Sequence, residues 1–349
     1  MTLLTLHSLA TWQPPLRAQD SLLGSALPGT YFHLFDAAGA ASRPPTVRRG
    51  LSTLACPPYE VPVADPAGNV AQLACGAVDA LLTGQAALKP RIGLALHAQC
   101  TLNQQILGSS CLRVVHEHLP QVARSFSVGQ LGTAGLPVAL RLAALQLADG
   151  APAGLACLSA SDKWIAPFFR RTPGVVTFGD AAAACLVGRG DGPGVARIEG
   201  LACVFEPPAA DPWTATPETA REQLVRLATQ AVQGLALPPG AAPWLAGDRC
   251  DAAVCRAVAQ RTGLAPLDEP DAGPAWHAGS AEPLFAIARG VAAAARSGRP
   301  VELVVWTASS AGAAGALHVR CDPAAQAGGG AWRPAAPPTS PAPSTRSPS

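Results

Sequence analysis

The chain has 349 residues, of which 49% are hydrophobic and 14% charged, with a formal net charge of +2. That is enough apolar material for a large core, as two domains or one big α/β unit, and it excludes an intrinsically disordered chain. The near-balance of charge lacks the basic footprint that nucleic acid requires, and no apolar run reaches the ~18 residues of a membrane span, so neither partner is expected.

At the N-terminus no basic residues precede the first apolar stretch, and His7, Trp12, Pro14 and Pro15 interrupt it. A signal peptide is therefore not expected, and a cytoplasmic protein follows. Residues 91–97 read as a buried strand. Residues 136–147 carry apolar side chains at helical spacing, with Gly150 as a stop signal. Residues 154–158 are again strand-like, 222–232 and 252–261 read as helices, and 302–306 as a buried strand. The alternation argues for an α/β architecture with parallel strands covered by helices. From Asp322 onward a Gly, Pro and Ser tract cannot form a packed core, so 322–349 is expected to be a disordered tail. The ten cysteines form no CxxC pair and show no zinc-ligand spacing. They read as small buried hydrophobes in a reducing compartment, and no metal is expected.

One segment is more specific. Phe178, Gly179 and Asp180 followed by Ala181 to Ala184 come after an Arg-Thr-Pro-Gly loop and lead into the strand-like Cys185 to Val187. This resembles the F-G-D-G-A-G-A segment of β-ketoacyl-acyl-carrier-protein synthase III (ketosynthase III) proteins, with alanine at two glycine positions. Other segments follow in the family's order. Residues 126–140, around Thr133, resemble its strand, nucleophile turn and helix. Pro243, Trp244 and Leu245 with Asp248 and Asp251 resemble its W-L-x-x-H-Q-A-N segment. His277 to Pro283 lies where it has G-N-x-x-x-A-S, and 302–315 matches its last strand and glycine-rich turn. The resemblance covers about residues 1–321. It implies an α/β thiolase-like fold of two similar βαβ halves, 1–175 and 176–321, with mixed sheets sandwiching helices, and assembly as a dimer.

The family's chemistry needs a cysteine at a helix N-terminus, where the dipole and free N–H groups favour thiolate, and a histidine and asparagine that stabilise an enolate. By resemblance these positions fall at Thr133, Asp248 and a residue between Ala278 and Ser280. The inventory excludes a local misalignment. Asparagine occurs only at Asn69 and Asn103, His277 is the only histidine between His118 and His318, and no cysteine lies between Cys111 and Cys157. Standard condensation is therefore not expected.

Three readings stay open. One is a silent subunit paired with an active ketosynthase III paralogue, or with a second copy of itself. Another is an acyltransferase with Thr133 as nucleophile, His277 as base and Asp248 orienting the base. The third is a module that binds an acyl chain or a carrier protein. Each of the three residues also has an ordinary structural role available: Thr133 as a helix cap, Asp248 as a cap or surface group, His277 as a hydrogen-bonded core histidine. His97, Gln99 and Cys100 end a strand that could face the same pocket, while Cys100 and Cys111 read as core. The resemblance further implies acyl-CoA or acyl-carrier-protein phosphopantetheine as substrate, with no cofactor retained. Arg48, Arg49, Arg170 and Arg171 are the candidates for its phosphates or for an acidic carrier protein.

Overall fold

The structure, a computed structural model, describes residues 3–18, 60–65, 68–101, 109–147, 154–164, 170–172, 175–190, 192–207, 216–267, 276–323 and 332–334. Arg48 and Arg49 lie outside these residues. The strands are β1 (Leu4–Trp12), β2 (Leu16–Ala18), β3 (Glu60–Pro62), β4 (Ile92–Ala98), β5 (Arg124–Val128), β6 (Leu155–Asp162), β7 (Arg171–Thr172), β8 (Val176–Thr177), β9 (Ala181–Gly188), β10 (Ala196–Phe205), β11 (Trp244–Gly247), β12 (Val301–Ser309), β13 (Ala313–Cys321) and β14 (Trp332–Pro334). The α-helices are α1 (Val70–Leu82), α2 (Ser110–His118), α3 (Gly135–Gln146), α4 (Pro217–Gln233), α5 (Ala252–Thr262) and α6 (Glu282–Ser297).

The main sheet runs β11-β12-β13-β10-β1-β9-β6-β4-β5. Its pairing pattern repeats. In one half β1 is antiparallel to β9, β9 to β6, and β6 parallel to β4. In the other, β10 is antiparallel to β13, β13 to β12, and β12 parallel to β11. The halves meet where β1 and β10 pair antiparallel. The sheet is thus mixed, as the resemblance implied, with parallel pairs at β4-β5, β4-β6 and β11-β12. β9, which follows residue 175 in sequence, pairs with β1 and β6.

β1 shows how sequence sets the layers. Leu4 and Leu6 face one core; strict alternation would turn Leu9 away, but a register shift between Leu6 and Ser8 returns it to that face. Ala10 and Trp12 face the opposite core. In β9, Ala181, Ala183, Cys185 and Val187 enter the first core while Ala182, Ala184 and Leu186 enter the second. Such small side chains let helices approach both faces of a central strand.

The first core joins α3 and α6 to strands of both halves, the second is covered by α1 and α2, and a third by α4 and α5. Two helices therefore lie between the half-sheets and the other four lie outside. Trp332–Pro334, within the stretch expected to be unstructured, pairs in parallel with Leu9–Thr11 along β1 beyond its β10 pairing. The rest of 324–349 lies outside the described residues. Among the described residues no helix is long and apolar enough to cross a membrane.

Candidate functional site

The ends of β6 and β11, the C-terminal end of β12 and the turns before α3 and α6 converge. Thr133 is buried in a 3₁₀ turn, Gly132–Ala134, that feeds α3. Gly132 there has φ +54°, and a Cβ on it would lie 1.9 Å from Ser309 Oγ, so only glycine lets the turn press against β12. The Thr133 hydroxyl donates to the Ala308 carbonyl at 3.0 Å and accepts from the Thr307 hydroxyl at 3.1 Å. Asp248, just after β11, accepts the Ala308 N–H on Oδ2 at 2.8 Å. The two backbone polar groups of Ala308 are thus held, its carbonyl by Thr133 and its N–H by Asp248.

His277 completes the set. Its Nδ1 accepts the Gly279 N–H at 2.9 Å, which fixes the neutral tautomer with its proton on Nε2. Nε2 lies 3.0 Å from Asp248 Oδ1. That oxygen makes no aligned hydrogen bond, so the contact acts mainly through charge. Burial disfavours the imidazolium, but the charges of Asp248 and Glu282 outweigh burial and raise the His277 pKa above its ordinary value. The structure brings the three near one another: Thr133 and Asp248 meet at the backbone of Ala308, and His277 approaches Asp248. It does not join them into a nucleophile–base relay, because the Thr133 proton goes to a carbonyl and both imidazole nitrogens face other groups.

Glu282, at the start of α6, is fully buried. Its carboxylate takes Arg249 at 2.8 and 3.2 Å, Arg289 at 3.2 Å and the Ala278 N–H at 2.7 Å. Burial pushes its pKa up, yet Arg249, His277 and Arg289 together bring it down to about 2. The Arg249 guanidinium also lies 4.2 Å from the centre of the Trp276 ring, so this ion pair braces the chain on both sides of His277.

Two further carboxylates organise the surrounding turns. Asp162 ends β6 and accepts the Cys100 and Thr101 N–H groups at 2.8 and 2.7 Å, the Thr101 hydroxyl at 2.9 Å and the Ser280 N–H at 2.6 Å. It ties the turn after β4 to the turn before α6. Gly279, with φ +62°, allows this, since a Cβ there would lie 2.3 Å from Asp162 Oδ2. Asp180 of the Phe-Gly-Asp segment accepts the Ala64 and Trp164 N–H groups, each at 2.8 Å. Arg170 forks onto it at 2.7 and 3.0 Å and donates to the Trp164 carbonyl. That guanidinium is turned inward onto Asp180. Arg171 lies in β7 next to it.

His97 ends β4 in the core, with Nδ1 2.9 Å from Ser159 Oγ and Nε2 3.2 Å from Gln99 Oε1. Burial lowers its pKa to about 4, so it is neutral at pH 7. Cys100 is pushed well above the usual thiol range by burial and by Asp162, and Cys111 to about 11 by burial. Neither is poised as a thiolate. Away from this region, ligand atoms of Cys75, Glu117 and His118 lie within 4.8 Å of one another, but Arg113 already holds Glu117 at 2.6 Å.

No protein-family model matches the chain, and no curated protein matches it. Solved structures do. A protein titled ChlB3 acyltransferase aligns over 92% of this chain and 99% of its own, with a TM-score of 0.64 at 14% identity. The 3-oxoacyl-(acyl carrier protein) synthase III of Pseudomonas aeruginosa PAO1 covers the same shares with a TM-score of 0.62 at 16% identity. A variant of OleA from Xanthomonas campestris aligns over 91% and 99%, with a TM-score of 0.63 at 17% identity. At these identities the likeness is one of fold. The chain shares the fold of these structures, the α/β thiolase-like fold that the Phe-Gly-Asp segment pointed to.

Proposed function

We propose that the chain is a non-condensing ketosynthase III-like protein of fatty-acid or polyketide-type secondary metabolism, acting as the partner subunit of an active ketosynthase III. One observation carries this reading: at the position the resemblance gives to the nucleophile stands a threonine whose hydroxyl is bonded to Ala308 and Thr307. A buried hydroxyl held this way is neither a thiolate nor within reach of a free base. Asp248 and the 277–280 turn, where the family has its histidine and asparagine, form a braced ionic network suited to holding shape. The groups such a subunit meets are acyl thioesters on coenzyme A or on the phosphopantetheine of an acyl carrier protein. Arg48, Arg49 and Arg171 are the cations we assign to their phosphates or to the carrier. The assembly is a heterodimer with the active paralogue, or a homodimer in its absence.

A second reading, acyl transfer through Thr133 with His277 and Asp248, is favoured by the 3.0 Å approach of Asp248 to His277 and by the acyltransferase title of one structural neighbour. It requires Thr133 to release Ala308 and His277 Nε2 to turn from Asp248.

The test is co-expression with a ketosynthase III from the same genome that retains its Cys-His-Asn set. Native mass should show a mixed dimer, and the partner's rate or product chain length should change when this chain is present. A β-ketoacyl product from the isolated chain at ~1 s⁻¹ or more would contradict the proposal, as would failure to associate.

A further inference from the structure

Cys250 and Cys255 flank the start of α5. Asp251 is the N-cap, its carboxylate accepting the Ala253 N–H, which makes Cys250 the residue before the cap and Cys255 the fourth helical residue. These two positions commonly hold an apolar pair that packs across a helix start. Here they hold two free thiols, with sulfur atoms 3.5 Å apart. Cys255 also lies 3.5 Å from the Asp248 carbonyl. Cys250 is buried, whereas Cys255 is partly exposed.

We propose that Cys250 and Cys255 form a reversible disulfide with low-molecular-weight disulfides of the glutathione class, a modification site that reads the redox state into the segment carrying Asp248 and Arg249. The geometry assigns the roles. Cys255 is the less buried of the two and lies near the positive end of the helix dipole, which favours a thiolate. A hydrogen bond from the Cys250 thiol lowers the Cys255 pKa against the opposing effect of burial, while the same contact and burial raise that of Cys250.

The Cys255 thiolate attacks one sulfur of the small disulfide, breaking its S–S bond and expelling one thiolate, to leave a mixed disulfide. Cys250 loses its proton and attacks Cys255 Sγ, expelling the second small thiolate, which takes up that proton. Two protein thiols are oxidised by two electrons and one small disulfide is reduced to two thiols. Closure brings the sulfurs from 3.5 Å to a bond of about 2.05 Å. On closure the Asp248 carbonyl loses the Cys255 thiol as a donor, which is the contact that links the pair to the segment holding Asp248 and Arg249. This chemistry is independent of whether the chain condenses, transfers or only binds acyl groups.

Arg249 and Arg256 flank the pair, so a single tryptic peptide, 250–256, carries both cysteines. The full-length folded protein is treated with glutathione disulfide, alkylated, digested and mapped without reduction. The expected result is that peptide 250–256 loses two hydrogens and both alkylation sites, retains no glutathione, and recovers both sites after reduction. Cys250→Ser should instead accumulate glutathione on Cys255, and Cys255→Ser should take up none at Cys250. Should either variant fold poorly, the wild-type map decides alone. Continued alkylation of both thiols, glutathione retained on wild-type Cys255, or earlier linkage of another cysteine pair would each overturn the proposal.

Discussion

Replacing Glu282 by glutamine keeps the size of a fully buried side chain and removes its charge, leaving Arg249 and Arg289 facing a neutral amide. A carboxyl lowered from an ordinary 4.5 to about 2 contributes about 3 kcal/mol to folding at neutral pH. Loss of one partner from a buried ion pair costs a similar amount, ~3–5 kcal/mol. Because the folded-state pKa lies below the unfolded one, this stability is complete above about pH 4.5 and is lost as the pH falls from 4.5 toward 2. Calorimetric melting at pH 7 should show Glu282→Gln several degrees below wild type. Denaturation at stepped pH should show the gap narrowing below about pH 4.5, as the wild type loses what the variant never had. Equal melting temperatures at pH 7, or curves that stay parallel through the acid range, would refute the claim that Glu282 anchors the network under His277.

Other outcomes follow from the same geometry. His97 is held at a pKa of about 4 by burial, against an ordinary 6.5, so it adds a loss of up to about 3 kcal/mol as pH falls from 6.5 toward 4. His97→Gln should flatten that part of the denaturation curve. Gly279→Ala forces a left-handed backbone on alanine and drives its Cβ into Asp162, which should cost about 3 kcal/mol in urea unfolding. Thr133→Val should lower stability by about 1–3 kcal/mol by stranding Ala308 and Thr307, while Thr133→Ser should stay close to wild type in the same melt.

The elements that could be read from sequence are those whose pattern is local. The helix at 136–147 appears as Gly135–Gln146, the one at 252–261 as Ala252–Thr262, and the strand at 91–97 as Ile92–Ala98. β1 was harder to recognise, because its bulge breaks the alternation that marks a strand. Of β9 only Cys185 to Val187 read as strand-like; its first half was hidden by alanines, a helix-favouring residue that a buried central strand accepts for its size. In the site, the proximity of Thr133, Asp248 and His277 was legible through the order of the family's segments. Glu282 and Asp162 were not. Glu282 reads as an ordinary acidic residue in a first helical turn, and Asp162 meets Ser280 across 118 positions of sequence. The inward turn of Arg170 was equally invisible, since an Arg-Arg pair in a polar loop looks like surface charge until Asp180 is placed beneath it.

Intact-protein mass spectrometry of the full-length chain, after incubation with acyl-CoA and acyl-carrier-protein donors, tests the silent-site account most directly. A Thr133 hydroxyl committed to Ala308 and a His277 with both nitrogens engaged predict no covalent acyl adduct. The mass should stay unchanged in wild type and in Thr133→Ala alike. An adduct mapped to Thr133 and abolished by both Thr133→Ala and His277→Ala would contradict the account and establish the acyltransferase instead.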